Sequence, residues 1–279
     1  MFQNLTDRTK AAVFYALALS FSFALVPLAP ILGERVAVIT MFTSLLAVLL
    51  MLLVVTRDGY TRAGWAALGL HRAGFRAWGL ALLVPFLVLG FTYSVVWMTG
   101  LGTFTVPAGS EPIGLLLDLV ASIVIVSLFA FVEEIGWRSY LLPHLSSLGR
   151  GRALLLSGFL HGVWHLPILL LTPYYHSLGN PWIVAPLFLA TLTLAGVLYG
   201  YLRLTTGSVW PATIAHGAYN AFWNKFTLMT VAASPVTLEY LAGESGVLPL
   251  IAIAVVAGYV GYRLSRRAPT VLATAAQNA

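Results

Sequence analysis

The chain has 279 residues, of which 59% are apolar and only 9% charged, whereas a soluble globular domain is charged at about a quarter of its positions. Its net charge of +6 comes from basic residues standing singly between apolar runs, with no patch or aromatic-interleaved stripe, which excludes a nucleic-acid-binding module. The absence of cysteine excludes disulfides, thiolate catalysis, Cys-ligated metals and cysteine-borne lipid anchors.

Apolar runs long enough for a hydrocarbon core of roughly 30 Å recur along nearly the whole length. In chain order they predict helices over 11–28, 36–55, 78–98, 113–142, 153–171, 183–202, 208–231 and 247–264. The first follows Arg8 and Lys10 but lacks a small-residue cleavage site, so it is expected as a retained helix. No linker, low-complexity tract or repeat divides the chain, and residues 1–279 are expected to form one all-α, polytopic transmembrane helix bundle of about eight spans.

If all eight runs cross, alternate loops gather on one side Arg8 and Lys10; Arg57, Arg62, Arg72 and Arg76; Arg138, Arg150 and Arg152; Arg203; and Arg263, Arg266 and Arg267. Opposite them stands Arg35, together with Glu34, Glu111, Glu239 and Glu244. This positive-inside asymmetry implies an even number of spans with both termini cytoplasmic, in a multi-pass protein whose expected membrane is a prokaryotic plasma membrane. Trp78, Trp97, Trp182 and Trp210 lie close to span ends and are expected as interface anchors.

Ionisable groups inside a bilayer cost about 2.5–3.5 kcal/mol each on insertion scales, so those that remain need partners or a task. Three spans concentrate them, with Glu133, Glu134 and Arg138 in the fourth, His161 and His165 in the fifth, and His216 and Asn220 in the seventh. A step of four places two side chains on one helix face, which pairs Glu134 with Arg138, His161 with His165, and His216 with Asn220. Glu133 points about 100° away from Glu134 and is expected to look into a different space. Counting 1.5 Å per residue from the cytoplasmic ends puts Glu133, His165 and His216 at roughly 13, 18 and 12 Å, matched in depth. They are expected to converge on a polar intramembrane cavity open to the cytoplasm.

These three motifs, in this order, resemble the CPBP (CAAX protease and bacteriocin-processing) intramembrane protease family over about residues 113–225, which would be a catalytic core within the single domain. Ser208-Val209-Trp210-Pro211, leading into His216, also resembles the family, whereas His161 stands where the family commonly has an aromatic. The resemblance implies that Glu133 is the catalytic carboxylate, that His165 helps it hold and activate water, that His216 and Asn220 stabilise the oxyanion, and that Glu134 and Arg138 complete the first motif. Amide hydrolysis does need a base for water and donors for a developing negative oxygen. A non-metallo, glutamic mechanism without cofactor is expected; the alternative is zinc held by Glu133, His165 and His216, a donor set that would suit it.

Glu134, Arg138 and His161 are expected to support the site, His161 either as a partner behind His165 or, the favoured reading, as a packed histidine bonded to a backbone carbonyl. Asp118 and Lys225 are expected to neutralise each other, and His144 and His176 to be solvated. Expected partners are the lipid bilayer and a membrane-associated peptide or protein substrate near the cytoplasmic leaflet. Two other functions use the same residues: a transporter or channel with an intramembrane ion-binding cluster, and a non-catalytic immunity or scaffolding protein on the same fold.

Overall fold

The computed structural model describes residues 5–173 and 178–266. Among these residues, eight long helices follow the apolar runs: α1 Asp7–Leu25, α2 Arg35–Leu50, α3 Trp78–Met98, α4 Pro112–Glu134, α5 Arg150–Leu171, α6 Pro181–Thr206, α7 Trp210–Leu228 and α8 Val247–Arg266. Short helical turns extend α1 to Leu32, and π-helical segments carry α2 to Val55 and α4 through Ile135–Leu141. The architecture is an all-α polytopic bundle, and its apolar helices make it a multi-pass membrane protein.

Among the described residues, seven helical stretches are long and apolar enough to cross a membrane, and α7 is not one of them. The reason lies in its sequence. Between Trp210 and Leu228 it carries His216, Asn220, Asn224 and Lys225, which a lipid-facing helix would not tolerate. Most of α7 from Pro211 to Phe222 is buried, packed against α3, α4 and α6, so neighbouring helices replace lipid around it.

The bundle has two chemically distinct ends. At one, Lys10 pairs with Asp58, Arg203 Nη2 donates to the Ala67 carbonyl at 2.9 Å, and Trp210 Nε1 donates to the Leu70 carbonyl at 3.1 Å. This basic end collects Arg57, Arg62, Arg72, Arg76, Arg150 and Arg152. At the other, β1 (Gly102–Phe104) and β2 (Thr230–Ala232) pair antiparallel with Thr103 opposite Val231, and the backbone N–H of Asn180 donates to the Tyr240 hydroxyl at 2.7 Å. Glu34, Glu111 and Glu239 stand at this acidic end.

Glycines set the closest helix contacts. Gly158 and Gly162 on α5, and Gly196 and Gly200 on α6, form two G-x-x-x-G steps, the pattern that lets helix backbones approach in a membrane. A Cβ on Gly196 would sit 2.5 Å from Gly158 Cα and 3.0 Å from Arg138 Nη2; one on Gly217 of α7 would sit 2.5 Å from Ser127 Cα of α4. The second contact seats His216, its chain neighbour, beside the end of α4.

Several expectations change. Trp78 and Trp182 are exposed at helix ends as anchors should be, but Trp97 donates to Thr230 Oγ1 at 3.0 Å and Trp210 also stacks on Phe131, so both tie elements together. Asp118 and Lys225 do form an ion pair. His144 is not simply solvated: its ring meets the Tyr140 carbonyl at 2.7 Å and stands 3.8 Å from Asp7, because the final turn of the fourth span folds back beside α1. His176 lies outside the described residues.

Substituting Gly196 with valine should force the α5 and α6 backbones apart. The expected cost is about 1–3 kcal/mol or more of stability, read as a lower unfolding midpoint in detergent, with Gly79→Val, which meets nothing within 4 Å, as the control.

Candidate active site

Glu133 and Glu134 close the regular part of α4, and the π-helical Ile135–Leu141 begins directly after them. A π turn adds a residue to the ladder and is a recurrent device at functional sites. The backbone of this turn passes close to α1 and α2: a Cβ on Gly136 would meet Phe14 and Ser44 at 3.0 Å, and Ser44 Oγ donates to the Val132 carbonyl at 2.6 Å. Both carboxylates and Arg138 are buried, the arginine and Glu134 completely.

The two glutamates have different partners, as their angular separation predicts. Arg138 Nη1 donates to Glu134 Oε1 at 3.0 Å and to His161 Nδ1 at 3.0 Å. A guanidinium can only donate, so His161 Nδ1 accepts, and its proton is on Nε2. That N–H therefore donates to Glu133 Oε2 at 2.8 Å. His161 is thus a direct partner of Glu133, and the expectation of a packed histidine bonded to a backbone carbonyl is incorrect. Stacking does hold it, since the Trp137 ring lies 4.9 Å away at 23°, but its polar atoms serve the two charged residues of α4.

The other two expected pairs do not form as side-chain hydrogen bonds. His165 Nδ1 donates to the backbone carbonyl of His161 at 3.1 Å, and the rings of the two histidines are 5.0 Å apart. His216 turns from Asn220 to Glu134, its Nδ1 donating to Oε1 at 3.0 Å, while its face stacks on Tyr199 at 5.3 Å and 12°. The Tyr199 ring also carries Arg138, whose Cζ lies 5.2 Å from the centroid in cation–π geometry. Asn220 makes no side-chain hydrogen bond among the described residues and lines the cavity.

That cavity has a volume of about 680 Å³ and brings Glu133, His165, His216 and Asn220 to one space. Glu134, Arg138 and His161 lie behind its wall. From the site the lining climbs α4 from Glu133 to Phe129 and Val126, α7 from His216 to Asn220 and Asn224, and α5 from His165 to Ile168, and it ends at Glu34 and Glu244. In every helix this direction leads to the acidic end. Beneath the site Trp137, Leu141, Leu142 and Leu154 are at most 1% exposed and close the bundle toward the basic end. The sequence-based expectation that the cavity opens on the side of the arginine-rich loops is therefore incorrect. Matched depth places residues at one level but does not say from which end water arrives. The depth itself is near the middle, since Ser44, which bonds beside Glu133, stands ten residues from Glu34 and eleven from Val55, roughly 15 and 16 Å.

Among the described residues, the group able to offer three ligand atoms to one metal is Glu133, His161 and His165, whose candidate atoms lie within 4.8 Å of one another. The set differs from the one expected, because His216 is turned to Glu134. Its chemistry fits a metal poorly. A neutral His161 bound to a cation through Nε2 would carry its proton on Nδ1, directly against the Arg138 N–H that now donates there.

Sequence reasoning missed the aromatic seats, Trp137 under His161 and Tyr199 under His216, and the place of Glu244 in the cavity lining. Aromatic residues abound in the chain and carry no periodic signal, and Glu244 follows α7 in a segment that sequence places outside the spans. It returns to the site because the Tyr219 hydroxyl donates to its backbone carbonyl at 2.8 Å.

Residues 115–222 match the family model described as Rce1-like, type II CAAX prenyl endopeptidase, which lies in the CPBP family. All seven residues of the three motifs fall inside this segment. No curated protein matches the chain.

Arg138 holds both Glu134 and the acceptor side of His161. An Arg138→Met variant should lose about 3–5 kcal/mol of stability, the cost of leaving a buried charge without its partner, whereas Arg138→Met combined with Glu134→Leu should recover part of it; unfolding in mixed micelles measures both.

Proposed function

We propose that this chain, with a CPBP-family core over residues 115–222, is an intramembrane endopeptidase in which Glu133 activates water without a metal. The observation that carries the reading is the position of Glu133 at the floor of a 680 Å³ cavity, with one carboxylate oxygen held by His161 at 2.8 Å. His161 fixes the carboxylate without competing for a proton, since its Nδ1 is already occupied by Arg138.

In the proposed reaction a water between Glu133 and His165 gives its proton to Glu133 as its oxygen attacks the substrate carbonyl carbon. The new oxyanion takes hydrogen bonds from the Asn220 amide and from His216 Nε2. Glu133 then returns the proton to the amide nitrogen, which leaves as the amine when the C–N bond breaks. Donation from His216 Nε2 requires the imidazolium, because Nδ1–H is committed to Glu134. With that proton the cluster sums to zero: Arg138 and His216 positive, Glu133 and Glu134 negative. Charge balance at a site this buried supports the assignment.

The zinc reading would use Glu133, His161 and His165, and the metal would supply a water acidic enough to attack at neutral pH. The conflict of two N–H groups between His161 and Arg138 weighs against it. Hydrolysis by the purified protein should therefore continue undiminished in excess chelator, and elemental analysis should find no stoichiometric metal.

Glu133→Gln should abolish cleavage of a membrane-anchored peptide substrate while leaving the detergent unfolding midpoint close to the parent; turnover at the parental rate would remove the central residue of the reading. Asn220→Ala should lower kcat by about 10²–10³ with little change in KM, the usual effect of deleting an oxyanion donor. His161→Phe preserves the stack on Trp137 but deletes two charge-assisted hydrogen bonds, so kcat should fall at least about tenfold; unaltered kcat would return His161 to a packing role.

A further inference from the structure

We infer that the active-site cavity is entered from the extracytoplasmic side of the membrane, and that its substrates are polypeptide segments presented there. Two independent observations meet in this inference. The first is geometric: from Glu133, His165 and His216 the lining continues along α4, α5 and α7 through Phe129, Val126, Ile168, Asn220 and Asn224 toward the end that carries Glu34 and Glu244, and the opposite end is filled by Trp137, Leu141, Leu142 and Leu154. The second is electrostatic and needs only the internal loops. On the closed end these loops and the adjoining helix ends hold Arg57, Arg62, Arg72, Arg76, Arg150, Arg152 and Arg203; on the open end they hold Arg35 as the single arginine, with Glu34, Glu111, Glu239 and Glu244. Short loops rich in Lys and Arg remain in the cytoplasm, so the closed end is cytoplasmic.

The consequence for substrate class is direct. The C-terminus of a lipid-modified protein on the cytoplasmic leaflet would meet the apolar floor beneath Glu133, separated from the carboxylate by the π turn and the side chains below it. A segment already translocated, or anchored in the outer leaflet, would instead descend past Asn224 and Asn220 to reach Glu133.

The inference takes its substrate from the peptidase reading, but its test does not depend on activity. The chain contains no cysteine, so single cysteines report accessibility without background. Asn224→Cys samples the upper cavity and Leu192→Cys its deeper wall. Glu111→Cys and Arg62→Cys, both exposed, report the acidic and basic ends. With a membrane-impermeant maleimide on intact cells, Glu111→Cys, Asn224→Cys and Leu192→Cys should label, and Arg62→Cys should label only after permeabilisation. Cavity cysteines that label together with Arg62→Cys, after permeabilisation only, would overturn the inference, as would cavity cysteines that stay unlabelled while Glu111→Cys reacts. If the labelling holds and Glu133→Gln still hydrolyses peptides, the glutamate mechanism fails while the sidedness stands; if the labelling fails and Glu133→Gln is inactive, the mechanism stands and the sidedness falls.

Discussion

The guanidinium of Arg138 has no exposed surface and lies inside the bundle, where an unpaired charge would cost more than most single contacts return. Everything at the site follows from how it is neutralised. Glu134 takes one of its N–H groups and the His161 ring another, while the Tyr199 face covers its plane. Because arginine only donates, it dictates which nitrogen of His161 holds the proton, and that proton in turn orients Glu133. A residue with no contact to the cavity thereby sets the direction of the carboxylate that lines it.

Holding such a network requires helices closer together than ordinary side chains allow. The glycine pairs of α5 and α6 bring the histidine-bearing helix against its neighbour, and Gly217 seats α7 against α4. The π turn that begins directly after Glu134 carries Arg138, which pairs with Glu134, and Trp137, whose ring stacks on His161. Without close approach, three imidazoles and two carboxylates would be separated by lipid-facing bulk, and none could satisfy the others.

The cavity is asymmetric for the same reason. Buried aromatic and aliphatic side chains surround the π turn and keep water from one side of the ion network, where a low dielectric strengthens its hydrogen bonds. On the other side the upper parts of α2, α4, α5 and α7 line the cavity above Glu133. Water access and ionic stability thus divide the bundle into a sealed half and an open one, and the loop charges divide it along the same axis.

The chain's apolar runs determined the membrane class, the number of long helices and nearly all their positions, because a hydrophobic span is a local property that length and composition express directly. The four-residue steps identified Glu134 with Arg138, and the family resemblance named Glu133, His165, His216 and Asn220 as residues that do share one cavity. What local pattern could not supply was partnership across helices. His161 bonded to Glu133 and not to a carbonyl, His216 to Glu134 and not to Asn220, and the cavity opened toward Glu34 and not toward the arginines. Each of these depends on where one helix surface meets another, which is set by glycine contacts and a π turn acting between segments tens of residues apart. Periodicity tells which face a side chain occupies; only packing decides what that face meets.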